Sequence, residues 1–184
     1  MRGATMVELA IVIPVLIIFM AAALELLNVL RVWNVLSSIS KDTGREMYQS
    51  CVRELPSGIT NQACLNGLFS PGSSTMRALA STRLQGNQQV QIVGSIYTTS
   101  PLNVVSIAAQ QNSGNNPAWN SLSRVNASLL QARYLGGSLG RVPNQGFAVS
   151  EVFYTYQPLF GVSFPFVDAF IRNRNGVVYE VTVY

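Results

Sequence analysis

Polarity along the chain changes regime twice. Residues 9–24 are all apolar, Pro14 included; Val7 precedes them, and Leu26, Leu27, Val29 and Leu30 extend the run past Glu25 and Asn28. At ~1.5 Å per residue, residues 7–30 are long enough to cross a hydrocarbon core of about 30 Å, so one transmembrane helix is the direct reading. The pattern then becomes amphipathic without a break. Leu26, Leu30, Trp33, Leu36, Ile39, Thr43 and Met47 recur at helical spacing, while Asn28, Arg31, Asn34, Ser38, Lys41 and Arg45 fall on the opposite face. Neither Pro nor Gly interrupts between Pro14 and Gly44, which predicts a single helix over residues 4–49, ~70 Å long. Its second half must leave the membrane and pack on something, most simply the rest of the chain.

Past Pro56 the periodicity mixes. Residues 89–99 alternate Val90, Ile92 and Ile96 against Gln91 and Ser95, which predicts a strand. Residues 102–109 offer a second strand with a less regular pattern. Residues 147–156 and 177–184 are rich in β-branched and aromatic side chains and read as two more, with Asn175-Gly176 as the turn before the last. Residues 76–84 read as a short helix after the loop at 70–74. Residues 110–121 read as loop. Leu122, Val125, Leu129 and Leu130 predict a helix over 122–135, stopped by Gly136-Gly137. The expected fold is α+β: a long N-terminal transmembrane and amphipathic helix packed on a small antiparallel sheet.

Composition narrows the function. Hydrophobic residues make up 48% and charged residues 11%, against the ~25% charged of ordinary soluble domains. The formal net charge of +4 is spread over isolated side chains such as Arg53, Arg77, Arg83, Arg124, Arg133 and Arg141. Basic residues without clustering or interleaved aromatics do not make a nucleic-acid surface, so no nucleic-acid partner is expected. Histidine is absent, which removes the commonest general base and metal ligand. The acidic residues have no metal-loop spacing, and the G-x-S-x-G match at Gly136-Gly137-Ser138-Leu139-Gly140 lacks the strand-to-helix context of a nucleophile elbow and has no histidine to serve it, so neither an enzyme nor a metal or other cofactor is expected.

Some motifs read as structure rather than chemistry. Asn126-Ala127-Ser128 matches a glycosylation triplet at chance level, and the glycines at 136–140 lack the context of a phosphate loop. Phe153, Tyr154, Tyr156, Phe160, Phe164, Phe166 and Phe170 read as sheet core. Cys51 and Cys64 flank Pro56-Ser57-Gly58, a turn able to bring them together. A disulfide there would contribute ~3 kcal/mol in the chain-entropy model. Two separate buried thiols are the alternative, and an oxidising compartment would decide for the bond.

Two residues are anomalous in the apolar run. Pro14 deprives the Ala10 carbonyl of its helical donor, which in lipid demands a kink or a neighbour's help. Glu8 puts a carboxylate among apolar residues, where it either snorkels to the interface or meets a cation. A free amine at Ala4, made by cutting after Gly3, would be such a cation.

The stretch Gly3-Ala4-Thr5-Met6-Val7-Glu8-Leu9-Ala10-Ile11-Val12-Ile13-Pro14 resembles the processing site of type IV pilin-like proteins. It is closer still to the TadE-like family of the tight adherence (Tad, Flp-type) pilus system. Glu25-Leu26-Leu27-Asn28-Val29-Leu30, then Asn34 and Asp42-Thr43-Gly44-Arg45, is similar to that family's continuation. So is the late Y-x-P-L flavour of residues 153–160. Leu9 departs from the pattern, which usually has an aromatic residue there.

The resemblance implies a minor pilin or pseudopilin. A prepilin peptidase would cut between Gly3 and Ala4, and the new amine of one subunit would neutralise Glu8 of its neighbour. It also implies a domain plan of a leader at 1–3, the helix at 4–50 and a globular domain at 51–184. Expected partners are the membrane, the prepilin peptidase, other pilin or pseudopilin subunits and the assembly machinery. The expected location is the inner membrane, single-pass, with the C-terminal domain periplasmic and a passage to the pilus or cell surface on assembly. Arg31, Lys41 and Arg45 against Arg2 do not favour that orientation; the cysteine pair and the pilin-like leader do. Two other readings of the N-terminus stay open. One is a removable signal peptide with Arg2 as its basic part, 9–20 as its apolar part and Ala21-Ala22-Ala23 at its cut. The other is a plain tether for a periplasmic binding module.

Overall fold

In a computed structural model the chain is described at residues 2–54, 57–70, 90–114, 123–135, 145–156, 158–161 and 177–184, with backbone alone at 2–7 and 134–135. Helix α1 runs Arg2–Tyr48, 47 residues with Pro14 inside it, and ends in one wide π-turn at Gln49–Arg53. Helix α2 follows at Asn61–Phe69, then strands β1 (Val90–Thr99) and β2 (Val105–Asn112). Helix α3 (Ala127–Leu135), β3 (Gly146–Thr155) and β4 (Val177–Val183) complete the order. The chain divides into two compact units, Met1–Asn34 with Thr155–Val178, and Val35–Tyr154 with Tyr179–Tyr184. The α+β class expected from the sequence is present, with a four-stranded antiparallel sheet in the order β2-β1-β3-β4.

Both faces of the central strands are buried in the second unit. Val93, Ser95 and Tyr97 sit beside Glu151, Val149 and Phe147 on one face. There Tyr97, Phe147 and Val149 pack with Val105, Val125 and Leu130. On the other face Ile92, Gly94 and Ile96 sit beside Val152, Ser150 and Ala148, and the C-terminal part of α1 lies against them. The contact is close because small residues meet. The Ser40 hydroxyl donates to the Ser150 carbonyl at 3.0 Å, and the Tyr184 ring covers the bare Gly44 backbone. A Cβ on Gly94 would stand 2.5 Å from Met47 Sδ and 2.7 Å from Phe69 Cζ. Only a strand residue without a side chain admits both helices.

The structure revises several expectations. The buried stripe of α1 is Ala22, Glu25, Val29, Val32, Leu36, Ile39, Thr43 and Met47, while Leu26 and Leu30 are exposed and Trp33 is half-buried. Where a helix is apolar all round, composition does not say which side turns inward. Helix α3 begins five residues later than 122. The Glu151 carboxylate accepts the N–H groups of Arg124 and Val125 at 2.8 and 3.2 Å, which holds them out of the helix. The Asn126 side chain then accepts from Leu129 N–H at 2.8 Å as the cap, so the apparent glycosylation triplet is a helix start. Strand β2 begins three residues later than 102 and runs through Asn112, into the stretch read as loop. Residues 102–104 instead form the connection, with Asn103 at φ 60°. Helix α2 escaped the pattern because only Leu65 and Phe69 of its nine residues are buried and Gly67 interrupts it; its signal was Thr60, whose hydroxyl accepts from Ala63 N–H. The helix read at 76–84, the stop at Gly136-Gly137 and the Asn175-Gly176 turn lie outside the described residues.

Two glutamine amides dress the edge strand β2. Gln62 on α2 donates to the Gln110 carbonyl and accepts its N–H, at 3.2 and 3.3 Å. Gln131 on α3 accepts from Val105 N–H and donates to the Asn103 carbonyl, at 2.5 and 2.8 Å. Each amide imitates a strand's backbone and occupies groups that another chain could otherwise pair with. Cys51 and Cys64 are joined as a disulfide, Cα atoms 5.6 Å apart, which pins α2 to the end of α1.

Two outcomes test this packing. Gly94→Ala should lower unfolding stability by about 1–3 kcal/mol through overpacking. Gly67→Ala, where an added Cβ meets nothing within 4 Å, should raise it by about 0.5–1 kcal/mol; urea midpoints of the two variants would separate in sign. The buried Tyr97 hydroxyl donates to the Val125 carbonyl at 3.0 Å. Burial first, and the nearby Glu151 charge second, push its pKa from 10.0 up to about 12, against a smaller opposing contribution from Ser95. Burial also raises Tyr154. Because the folded state favours the neutral phenol, this stability is complete below pH 10 and is lost as pH rises towards about 12. Tyr97→Phe should flatten that alkaline slope in a pH series of unfolding curves, while costing about 1 kcal/mol at neutral pH.

Candidate functional site: an apolar helix with two carboxylates

The N-terminal part of α1 has a surface unlike that of a soluble helix. Its large apolar side chains from Leu9 to Met20 are 46% to 70% exposed on every side. Among the described residues this is the one helix long and apolar enough to cross a membrane, and 11% of its most apolar window is buried. Ile, Val and Phe are modest helix formers in water. In lipid, where each backbone group must be satisfied within the segment, the helix is their only open form.

Two carboxylates interrupt this surface, and their surroundings differ. Glu8 is exposed. Glu25 is fully buried. Its Oε1 accepts the Tyr156 hydroxyl at 2.5 Å, and Leu159 N–H points at both oxygens, 3.1 and 3.3 Å away. Asn28, one turn further along the same face, donates from Nδ2 to the Tyr156 oxygen at 3.2 Å. Donors from residues 156 and 159 therefore converge on an acceptor in the helix, the complement an acceptor-only carboxylate requires. The group binds the chain to itself. Among the described residues no cluster of three or more acidic or cysteine side chains could hold a metal ion.

The residues singled out in the sequence sort unevenly. Gly3 and Ala4 lie in the first turns of α1 and Pro14 lies inside it. Cys51 and Cys64 are brought together elsewhere. Of the aromatic set, Phe153 and Tyr154 are buried as expected. Tyr156 serves Glu25 instead, Phe160 is 51% exposed, and Phe164, Phe166 and Phe170 lie outside the described residues. Glu25 and Tyr156 escaped as a pair because they are 131 positions apart. The available signal was a second carboxylate on an otherwise apolar helix, which needs a donor from somewhere.

Residues 3–45 match the family model of TadE-like proteins. The TadE-like segment thus takes in Gly3, Glu8, Pro14 and Glu25, and ends before the disulfide and the sheet. No curated protein and no solved structure matches the chain. The late Tyr156–Leu159 partner of the TadE-like segment falls outside the matched residues, yet it is what Glu25 binds.

Removing the Tyr156 hydroxyl tests the bond. Tyr156→Phe should lower the unfolding midpoint of the detergent-solubilised chain by the equivalent of about 1.5–3 kcal/mol, the range for a hydrogen bond to a charged group. An unchanged midpoint would mean that the contact contributes nothing to the fold.

Proposed function

We propose that the chain is a minor pilin- or pseudopilin-like structural subunit in the assembly of a tight adherence (Flp-type) pilus. It would be held in the inner membrane by α1 with its C-terminal domain in the periplasm before assembly. A prepilin peptidase would cut between Gly3 and Ala4, leaving Ala4 as the first residue and Glu8 a turn further on. The supporting observation is the TadE-like match over residues 3–45 on a helix whose apolar surface is exposed all round. The disulfide fits an oxidising compartment.

The two carboxylates of α1 give this reading its physical content. Glu25 already has its donors within the chain, whereas Glu8 is exposed on an apolar helix. An acidic side chain at membrane depth is costly, by ~2.5–3.5 kcal/mol on insertion scales. The Ala4 amine of a neighbouring subunit would remove that cost only when helices assemble side by side. Glu8 then sets the axial register of the bundle, and Pro14, which frees the Ala10 carbonyl, supplies a bend or a second contact point.

N-terminal sequencing of the membrane-extracted chain should begin at Ala4. Glu8→Leu should leave membrane insertion intact and reduce the protein in sheared pilus fractions, since truncating one partner of a buried charge pair costs about 2–5 kcal/mol. A chain that keeps Gly3 in piliated cells would overturn the processing step. Normal assembly of Glu8→Leu would reduce α1 to a tether for a periplasmic binding module. A start at Leu24 would make the segment a removed signal peptide.

A further inference from the structure

The Glu25 contact brings a second apolar feature to the end of the exposed helix. Pro158, Leu159, Phe160 and Gly161 form a turn closed by Gly161 N–H on the Pro158 carbonyl at 3.2 Å, with Gly161 at φ 65°. Its two central residues are large and apolar, Leu159 59% and Phe160 51% exposed. Leu159 N–H is bound by the Glu25 carboxylate, so the turn is held at the level of residue 25, where Leu24, Leu26 and Leu27 are exposed on α1. The leucines continue the apolar surface that begins at Leu9. From these observations we infer that the turn at 158–161 is a second membrane contact, with Leu159 and Phe160 seated in the interfacial layer of the bilayer that α1 crosses.

The backbone of the turn suits that position. An irregular segment enters an apolar layer at lower cost the more of its donors are occupied, and the headgroup boundary still holds water for the rest. Pro158 has no N–H, that of Leu159 lies on Glu25, and that of Gly161 lies on Pro158. Phenylalanine and leucine are side chains that partition into the headgroup boundary, to a depth of ~5–10 Å. Continuity with the exposed helix names the occupant: lipid that covers Leu24 and Leu27 must also meet a turn bonded at residue 25. Glu25 then has a double office, removing its own charge from lipid and fixing the depth of the turn. The inference rests on the transmembrane reading of α1.

The test uses the full chain in phospholipid vesicles with its disulfide kept oxidised. Phe160→Cys and, separately, Phe19→Cys are labelled with a polarity-sensitive thiol dye. Each is then exposed to lipids carrying a nitroxide near the headgroup or deep in the acyl chain. Leu159→Cys repeats the turn measurement in case the first substitution disturbs folding. The label at 160 or 159 should emit to the blue of the dye's cysteine adduct in buffer and lose more intensity to the shallow nitroxide than to the deep one. The label at 19 should lose more to the deep one. A water-like, unquenched turn label beside a quenched label at 19 would overturn the inference and leave the span intact. So would a blue-shifted turn label that neither nitroxide quenches, or one that the deep nitroxide quenches more. Water-like emission at both positions would remove the span and the inference with it.

Discussion

A carboxylate on an apolar helix needs a donor or water, and the two that α1 carries differ in which they have. Glu25 is supplied from within the chain by Tyr156 and the Leu159 backbone. That arrangement ties the helix to a segment more than a hundred residues later and lets a charged side chain sit on an apolar element. Glu8 is exposed on the same helix. The contrast separates a group that builds the fold from one that the fold leaves exposed. A charge satisfied at home sets tertiary structure, and a charge satisfied only by a second molecule sets register and partner choice.

The same economy of polar groups runs through the second unit. Ser40, Thr43 and Gly44 lie on the buried stripe of α1, and their small size lets the helix approach the sheet closely. Gly94 performs the reciprocal service on β1 by making room for Met47 and Phe69. Glu151, buried on the opposite face, accepts from Ser123, from two backbone amides and from the Tyr179 hydroxyl at 2.8 Å. The Arg124 guanidinium lies over the Tyr179 ring, 4.7 Å from its centroid, a geometry that suits a cation. Each buried carboxylate therefore organises a loop. Glu25 holds the turn after β3, and Glu151 the approach to α3.

Side-chain period made β1 and the long helix readable, and β-branched and aromatic content made β3 and β4 so. Val90, Ile92 and Ile96 alternate as a pleated strand must, and no breaker falls between Pro14 and Gly44. Period failed where two features compete. In α1 the apolar residues surround the axis near residue 26, so spacing points Leu26 and Leu30 inward where Val29 and Val32 are buried, while from Leu36 to Met47 it points to the residues that are buried. At 122–126 the helical spacing of Leu122 and Val125 is genuine, but Glu151 on a distant strand takes the amides that would have started the helix. The candidate site divides in the same manner. Gly3, Ala4 and Glu8 form one short local pattern that falls within the family match, whereas the Glu25–Tyr156 bond joins residues whose meeting no local pattern encodes.

Composition and order alone therefore determined the length and apolar character of α1, the presence of an acid near its start, the α+β class and the resemblance of the first residues to a pilin-like family. These follow from hydropathy, spacing and a contiguous motif, which need no knowledge of what lies across the fold. Tertiary structure decided which side of α1 is buried, where α2 and α3 begin, and which carboxylate is hydrogen-bonded within the chain itself. Those choices depend on donors, holes and ring faces contributed by residues far away in the chain. A buried polar group is stable only if its partner arrives from elsewhere, and the fold is what delivers it.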